Sequence, residues 1–273
     1  MDHYQVIDTI KELGVDAVEL QIFEASVPEG ETMASYTKSL HTYATEKGLE
    51  VPIFTVTSGL YCADIEAEYE RLCSMIDIAS ELGIPLMRFD IGYKFLGTEA
   101  SKSPKTIINT VAPYIRRLAD IGAAKGVKLC SENHGKIMQD SYRMEELMYC
   151  VDHKNYGLLY DMGNFGVADD DYIGAVSKLL SHICFVHAKD AFVRDGMMYD
   201  PGKGYKQTRG GTYRRSTIFG HGNVPTYQIL RAIKNSGYDG YVSLEFEGIE
   251  ETMMAVEISA DNLKRMLSDL PSK

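Results

Sequence analysis

The chain reads as an α/β protein built as a parallel barrel of the (β/α)8 type, a TIM barrel, and three observations predict it. Helical and apolar strand patterns alternate with a repeat of roughly 25–35 residues, the rhythm of βα units. Helix after helix stops at a glycine that is followed by a short apolar run. Four of those runs end on an acidic or imidazole side chain: Glu132 in KLCSENHG, Asp161 in GLLYDMGN, His187 in CFVHAKD and Glu245 in YVSLEFEG. In a parallel barrel the C-terminal strand ends converge on one mouth, where active sites lie.

The elements follow in order. Val6, Ile7, Ile10 and Leu13 share one helical face that closes at Gly14, and AVELQIF (17–23) is the next strand. A helix from Thr32 to Lys47 stops at Gly48 before the strand VPIFTVTSG (51–59). Ile65 to Leu82 form a helix ended by Gly83, and PLMRFDIG (85–92) follows, its proline tolerated at a strand's first position. A long helix runs to Lys125 and stops at Gly126 before VKLCSEN (127–133). Helix Tyr142–Val151 precedes strand 156–162, and helix Asp170–Leu180 precedes strand 183–189. Helix 227–236 with its stop Gly237, strand 241–247 and helix 250–269 complete the chain.

This counts about seven strands where the barrel class has eight. The sequence opens on a helix, so the reading is a single barrel domain, residues 1–273, without its first strand. Strands 17–23 and 241–247 then have open edges, which need covering. The N-terminal helix or a neighbouring copy in a homo-oligomer is expected to do so. An open doubly wound sheet would carry a Gly-rich phosphate loop after its first strand. No GxGxxG follows any strand here.

Composition narrows the function. The 273 residues are 45 % hydrophobic with a formal net charge of −11, which speaks against a nucleic-acid partner, because phosphate binding needs a dense Lys/Arg footprint. The balance favours a small-molecule ligand. The five cysteines show no CxxC spacing and several lie inside apolar runs, the usage of buried free thiols in a reducing, cytoplasmic compartment. No apolar run is long enough for a membrane span.

One connection breaks the rhythm. About 35 residues separate His187 from the helix at 227, a length that is functional or disordered in most compact domains. The stretch carries Lys203, Lys206, Arg209, Arg214 and Arg215. It reads either as a positive lid for an anionic or polyhydroxylated substrate, or as a mobile solvated loop.

Two Glu, one Asp and one His at neighbouring strand ends suit one divalent metal ion, with Mn²⁺, Mg²⁺, Co²⁺ and Zn²⁺ all compatible with three carboxylates and an imidazole. An acidic residue at one strand end is more often a helix cap, but four on successive strands resist that explanation. Side-chain alternation adds neighbours: His134 shares a face with Glu132, Lys189 with His187, and Glu247 with Glu245. Asn133 and Asn164 are candidates to orient the ligands or bind substrate hydroxyls. Arg88 on the 85–92 strand, with Asp90, is a candidate substrate contact or a structural ion pair, and His221 in GHG is a loop residue near the mouth.

The segments SENHG, LYDMGN, FVHAKD and GHGNVPTYQILRAIKNSGYDGYVSLEFEG resemble the sugar phosphate isomerase/epimerase family, the xylose-isomerase-like TIM barrels. The resemblance runs from the first helix to the C-terminus. It implies metal ligands at Glu132, Asp161, His187 and Glu245. It also implies a carbohydrate substrate whose carbonyl and adjacent hydroxyl chelate the metal, with Glu132 and Glu245 moving a proton through an enediolate. His134 and Lys189 are then catalytic candidates for shuttling a hydroxyl proton or stabilising negative charge. Three other readings stay open: an inosose-type dehydratase on the same scaffold, an apurinic endonuclease, and a non-catalytic sugar-binding barrel. The endonuclease needs histidines at earlier strand ends, and those ends read TVTSG and RFDIG.

Overall fold

The computed structural model describes residues 1–271. Seven strands are hydrogen-bonded in the order β1 (Leu20–Gln21), β2 (Phe54–Val56), β3 (Leu86–Phe89), β4 (Lys128–Glu132), β5 (Tyr156–Asp161), β6 (Ile183–Ala188) and, last, a strand at Val242–Leu244. Three further strands, β7 (Asp190–Arg194), β8 (Lys206–Gln207) and β9 (Tyr213–Thr217), form a separate antiparallel sheet, so the strand at Val242–Leu244 is β10. Strands paired in chain order, with helices between them, are the expected α/β arrangement of the TIM-barrel class. The end strands of the order are β1 and β10, the two elements whose open edges the sequence predicts.

The chain divides into two compact units. The first comprises Met1–Ser131 and Cys150–Gly157. It holds helices α1 (His3–Glu12), α2 (Met33–Glu46), α3 (Ile65–Glu81) and α4 (Pro104–Ala124). Its strands pair in parallel, Leu20 opposite Phe54, Thr55 opposite Arg88 and Met87 opposite Leu129. Local chemistry sets the helix starts. Asp2 and Gln5 make a reciprocal capping box, Thr32 and Ser35 make another, and Asp64 accepts from the Ala67 N–H. Leu40 of α2, Leu72 and Ile76 of α3 and Ile108 and Leu118 of α4 are fully buried, as is Ile53 just before β2.

The second unit comprises Glu132–Tyr149 and Leu158–Lys273. It holds α5 (Ser141–Val151, up to Tyr149), α6 (Tyr172–Leu179), α7 (Thr226–Asn235) and α8 (Thr252–Ser268). β5 and β6 run parallel with Asp161 opposite His187, and β6 pairs with β10 so that Ser243 stands opposite His187. The Glu245 N–H then donates to the Ala188 carbonyl at 3.1 Å. This register sets Asp161 level with His187 and carries Glu245 two residues beyond, on the same face as Ser243.

Three expectations need revision. The stretch between β6 and α7 is not a bare loop: β7, β9 and β8 form a three-stranded antiparallel sheet with Phe192 opposite Arg215 and Lys206 opposite Arg214. The strand 17–23 is paired only at Leu20–Gln21, plus an isolated bridge from Ala17 to Glu50. The cysteines depart from the expectation of buried thiols: Cys130 alone is buried, while Cys62, Cys73, Cys150 and Cys184 are half-buried. Among the described residues no helix is long and apolar enough to cross a membrane.

The helix-stop glycines adopt the left-handed backbone that the position demands, for example Gly83 at φ 69° and Gly126 at φ 75°. A Cβ on Gly83 would meet no atom within 4 Å, so substitution there probes backbone strain alone. Gly83→Ala is expected to lower unfolding free energy by about 1 kcal/mol in a urea titration. No loss would show that the residue does not hold this conformation.

Candidate metal centre

Glu132 closes β4 and is 3 % exposed, while Asp161 closes β5 and is fully buried. Asn133 ties these two strand ends together. Its amide nitrogen donates to the Asp161 carbonyl at 2.9 Å, and its amide oxygen accepts from the Asp161 N–H at 2.8 Å. The side chain thus continues the ladder where β4 has ended, and it is spent on positioning Asp161.

The turn after β5 then fixes the carboxylate. The Gly163 and Asn164 N–H groups both donate to Asp161 Oδ1, at 2.7 and 2.9 Å. Asn164 turns its side-chain amide to Glu132 Oε1 at 2.8 Å. A Cβ on Gly163 would lie 2.9 Å from both the Cγ and the carbonyl oxygen of Lys189, so only glycine lets this turn sit against β6. Asp161 Oδ2 is left without a hydrogen bond, 3.2 Å from Lys189 Nζ.

His187 points Nδ1 into the same space, 3.1 Å from Glu245 Oε2 and 3.8 Å from Glu132 Oε1. Lys189 is 2 % exposed, and its Nζ lies 2.9 Å from Glu245 Oε1 and 3.2 Å from Glu247 Oε2. One ligand atom from each of Glu132, Asp161, His187 and Glu245 falls within 4.8 Å of all the others. The four residues singled out at strand ends are therefore brought together.

Charge crowding perturbs the group. Burial pushes the Asp161 carboxyl up to about 7; Lys189 opposes this, while Glu245 and Glu132 add to it. Burial also acts to raise Glu245, but its hydrogen bond to His187 and the charge of Lys189 hold it below the usual carboxylate range. Burial alone would lower the Lys189 ammonium, yet Asp161 and Glu245 raise it above its ordinary value. Glu132 and Asp161 are buried and Glu245 is half-buried, so their charges crowd together in a way that a bound cation relieves. The donor set, together with the unbonded Asp161 Oδ2, fits a divalent metal ion.

The remaining candidates have these settings. β4 ends at Glu132 and the His134 N–H turns back to the Glu132 carbonyl at 2.9 Å, so strand alternation no longer governs the half-buried His134. His221 is exposed in the turn before α7. Arg88 and Asp90 belong to the first unit, both buried, and pair with each other at 2.7 Å. Glu247 was visible in the LEFEG alternation but not as a partner of Lys189. The Asp of HAKD gave no signal of its task. Asp190 accepts N–H bonds from Ala191, Gly220, Gly222 and Val224 at 2.7, 3.0, 2.8 and 3.2 Å. It thereby clamps the GHG turn beside the site.

With this geometry in hand, comparison with known proteins is informative. The family of xylose isomerase-like TIM barrels matches residues 7–266. The chain belongs to this family. An inosose dehydratase of Geobacillus thermodenitrificans (strain NG80-2) is 26 % identical over 136 residues, 49 % of this chain and 45 % of that protein. The chain thus spans about half the length of the curated relatives it matches. A xylose isomerase-like TIM barrel protein from Mycobacterium smegmatis, in complex with magnesium, superposes with TM-score 0.75 at 18 % identity, covering 98 % of this chain and 89 % of that one. D-Psicose 3-epimerase from Clostridium cellulolyticum H10 superposes with TM-score 0.71 at 18 % identity, covering 100 % and 95 %. At these identities the solved structures speak for the fold.

The Asp190 clamp is testable separately from any chemistry. Asp190→Ala strands four backbone donors and is expected to lower stability by about 3 kcal/mol in denaturant unfolding, since bonds to a charged acceptor are the strong ones. Wild-type stability in that variant would contradict the clamp.

Proposed function

We propose that this chain is an isomerase or epimerase, dependent on a divalent metal, that moves a proton at the carbon beside a carbonyl of a polyhydroxylated small molecule. The observation that carries the reading is the convergence of Glu132, Asp161, His187 and Glu245 on one space. These four side chains would hold the metal, which supplies Lewis-acid polarisation of the carbonyl and so acidifies the neighbouring C–H. The set suits Mn²⁺, Mg²⁺, Co²⁺ or Zn²⁺, and the magnesium in the Mycobacterium smegmatis relative supports a hard cation.

The chain's own residues divide the remaining work. Glu132, oriented by Asn164, takes the proton from carbon and leaves an enediolate. Glu245, which rests ionised beside His187 and Lys189, relays a proton taken up from solvent to the enediolate from its own side, and Glu132 releases its proton to solvent, which inverts or relocates the centre. Lys189 is buried among three carboxylates and stays protonated, so its part is to hold Glu245 and steady developing negative charge rather than to act as a base. His134 is the candidate for moving a hydroxyl proton. Asn133 keeps Asp161 in register. The free cysteines suit a reducing, cytoplasmic setting.

A second reading has its own support: curated relatives are named inosose dehydratases. Dehydration shares the first deprotonation and differs in the fate of the enediolate, which expels a neighbouring hydroxyl instead of regaining a proton.

The test is a panel of ketoses and inososes incubated in deuterated water with metal-loaded protein. The reading expects solvent deuterium at the carbon beside the carbonyl of the isomeric product, with Glu132→Gln and Glu245→Gln each slowing exchange ~10²–10⁴-fold. A dehydrated product selects the second reading. Isomerisation that retains the original hydrogen, as in a hydride shift, overturns the enediolate mechanism. Asn164→Ala, which frees Glu132, is expected to weaken metal affinity ~10–100-fold, measured by competitive chelation.

A further inference from the structure

Of the five basic residues that run from Lys203 to Arg215 between β6 and α7, four have an ordinary setting. Lys203 and Lys206 are exposed to solvent. Arg209 pairs with Asp140 at 2.6 Å and donates to the Lys136 carbonyl. Arg215 pairs with Glu250 at 3.4 Å and lies over the rings of Phe192 and Tyr205.

Arg215 Nε is itself buried without a hydrogen bond, but Arg214 has two such nitrogens and lacks the ion pair that Arg215 makes. Arg214 is 9 % exposed, and its Nε and Nη2 are buried with no hydrogen-bond partner. It takes part in no ion pair among the described residues. Alternation along β9 turns it away from the face on which Arg215 and Thr217 meet Glu250. A buried cation without a counter-charge is costly in a folded protein, so its retention calls for an acceptor.

A second donor without an acceptor lies in the same region. Tyr172 Oη is buried and unpartnered. Burial pushes its phenol up to about 12, and the nearby charges that act on it include Arg214, Asp190 and Asp161. Its position is fixed sterically: a Cβ on Gly166 would stand 1.9 Å from Tyr172 Oη. Gly166 belongs to the 3₁₀ turn Asn164–Ala168, whose first residue bonds both Glu132 and Asp161. The β8–β9 hairpin is fastened to the far end of that turn. Its Arg209 N–H donates to the Val167 carbonyl at 3.0 Å, and Thr208 Oγ1 donates to Asp169 Oδ1 at 2.7 Å. Gly210 and Thr212 also bond Asp169. One short turn therefore joins the carboxylate cluster to the two unpartnered donors.

We propose that Arg214 and Tyr172 form the anchoring site for an oxyanion group, a carboxylate or a phosphate ester, carried by the substrate of the Glu132–Asp161–His187–Glu245 cluster. The Nε–Nη2 edge of a guanidinium presents two parallel N–H bonds that match two oxygens of either group, and the phenol adds a third donor. The substrate class narrows from polyhydroxylated carbonyl compounds to acidic or phosphorylated ones. The inference rests on reading the cluster as the place of chemistry, but binding tests it without turnover.

The experiment is calorimetric titration of Mn²⁺-loaded wild-type protein, its four ligands intact, with probes that lack a carbonyl so that nothing reacts. The probes are D-gluconate, D-sorbitol 6-phosphate, inorganic phosphate and the neutral sorbitol. At least ~10-fold tighter binding of one charged polyol than of sorbitol is expected, and which one binds tighter separates carboxylate from phosphate. Arg214→Met should abolish the preference, and Arg214→Lys, which keeps the charge but not the fork, should retain only part of it. Without probes, Arg214→Met should melt at or above the parent temperature, because it removes an unmatched buried charge. Three results would each overturn the proposal: no charged probe preferred over sorbitol, a preference that survives Arg214→Met, or a melting temperature well below the parent, which marks a structural arginine. A charge preference that depends on Arg214, in a protein whose Glu132→Gln variant exchanges deuterium at the wild-type rate, would leave the anion site standing and sink the assignment of Glu132 as base.

Discussion

A carboxylate with no exposure to water, Asp161, is the constraint on which the site depends. Such a group is tolerated only if its surroundings meet its charge and hold its geometry. Asn133 fixes its backbone from the neighbouring strand, the Gly163 and Asn164 N–H groups bind one oxygen, and Lys189 faces the other. Three of these partners also act on a second ligand or its support. Asn164 orients Glu132, Lys189 holds Glu245, and Gly163 lets the turn close on Lys189. The four ligands are thus a coupled set, and moving one disturbs the rest.

The parallel register converts a one-dimensional pattern into this set. Asp161 lies opposite His187, Ser243 lies opposite His187 on the other side, and the Glu245 N–H continues the ladder to Ala188. A shift of one residue in any pair would turn a ligand to the other face of the sheet. The fold's contribution to function is therefore a register, held by apolar residues such as Leu158, Leu159, Phe185 and Val186 that take no part in chemistry.

Much of this was legible in the sequence, for physical reasons that can be named. Glycines at helix ends report a left-handed backbone that few other residues adopt, so Gly83 and Gly126 marked boundaries to within a residue or two. Buried strands ending on Glu132, Asp161 and His187 stood out because a charge beside an apolar run is costly without a purpose. Alternation set Lys189 beside His187, and its ammonium meets Asp161, Glu245 and Glu247; at His134 the chain has already left β4 and turns back on Glu132. The β7–β9 sheet was hidden because its strands are short and carry arginines where an alternating apolar signal is sought. What Asp190 and Arg214 do was not legible. Four N–H donors from a distant turn, or the absence of any partner, are properties of packing that spacing along the chain does not record.

The central claim is that Glu132, Asp161, His187 and Glu245 bind one divalent ion together. Electron paramagnetic resonance of the protein titrated with Mn²⁺ tests it most directly, with electron spin-echo modulation reporting nitrogen bound to the metal. The account predicts one tightly bound Mn²⁺ per chain with coupling to a single imidazole nitrogen. That coupling should vanish in His187→Ala, and binding should fall sharply in Asp161→Asn. Manganese that stays free in solution, or a nitrogen coupling untouched by His187→Ala, would contradict it.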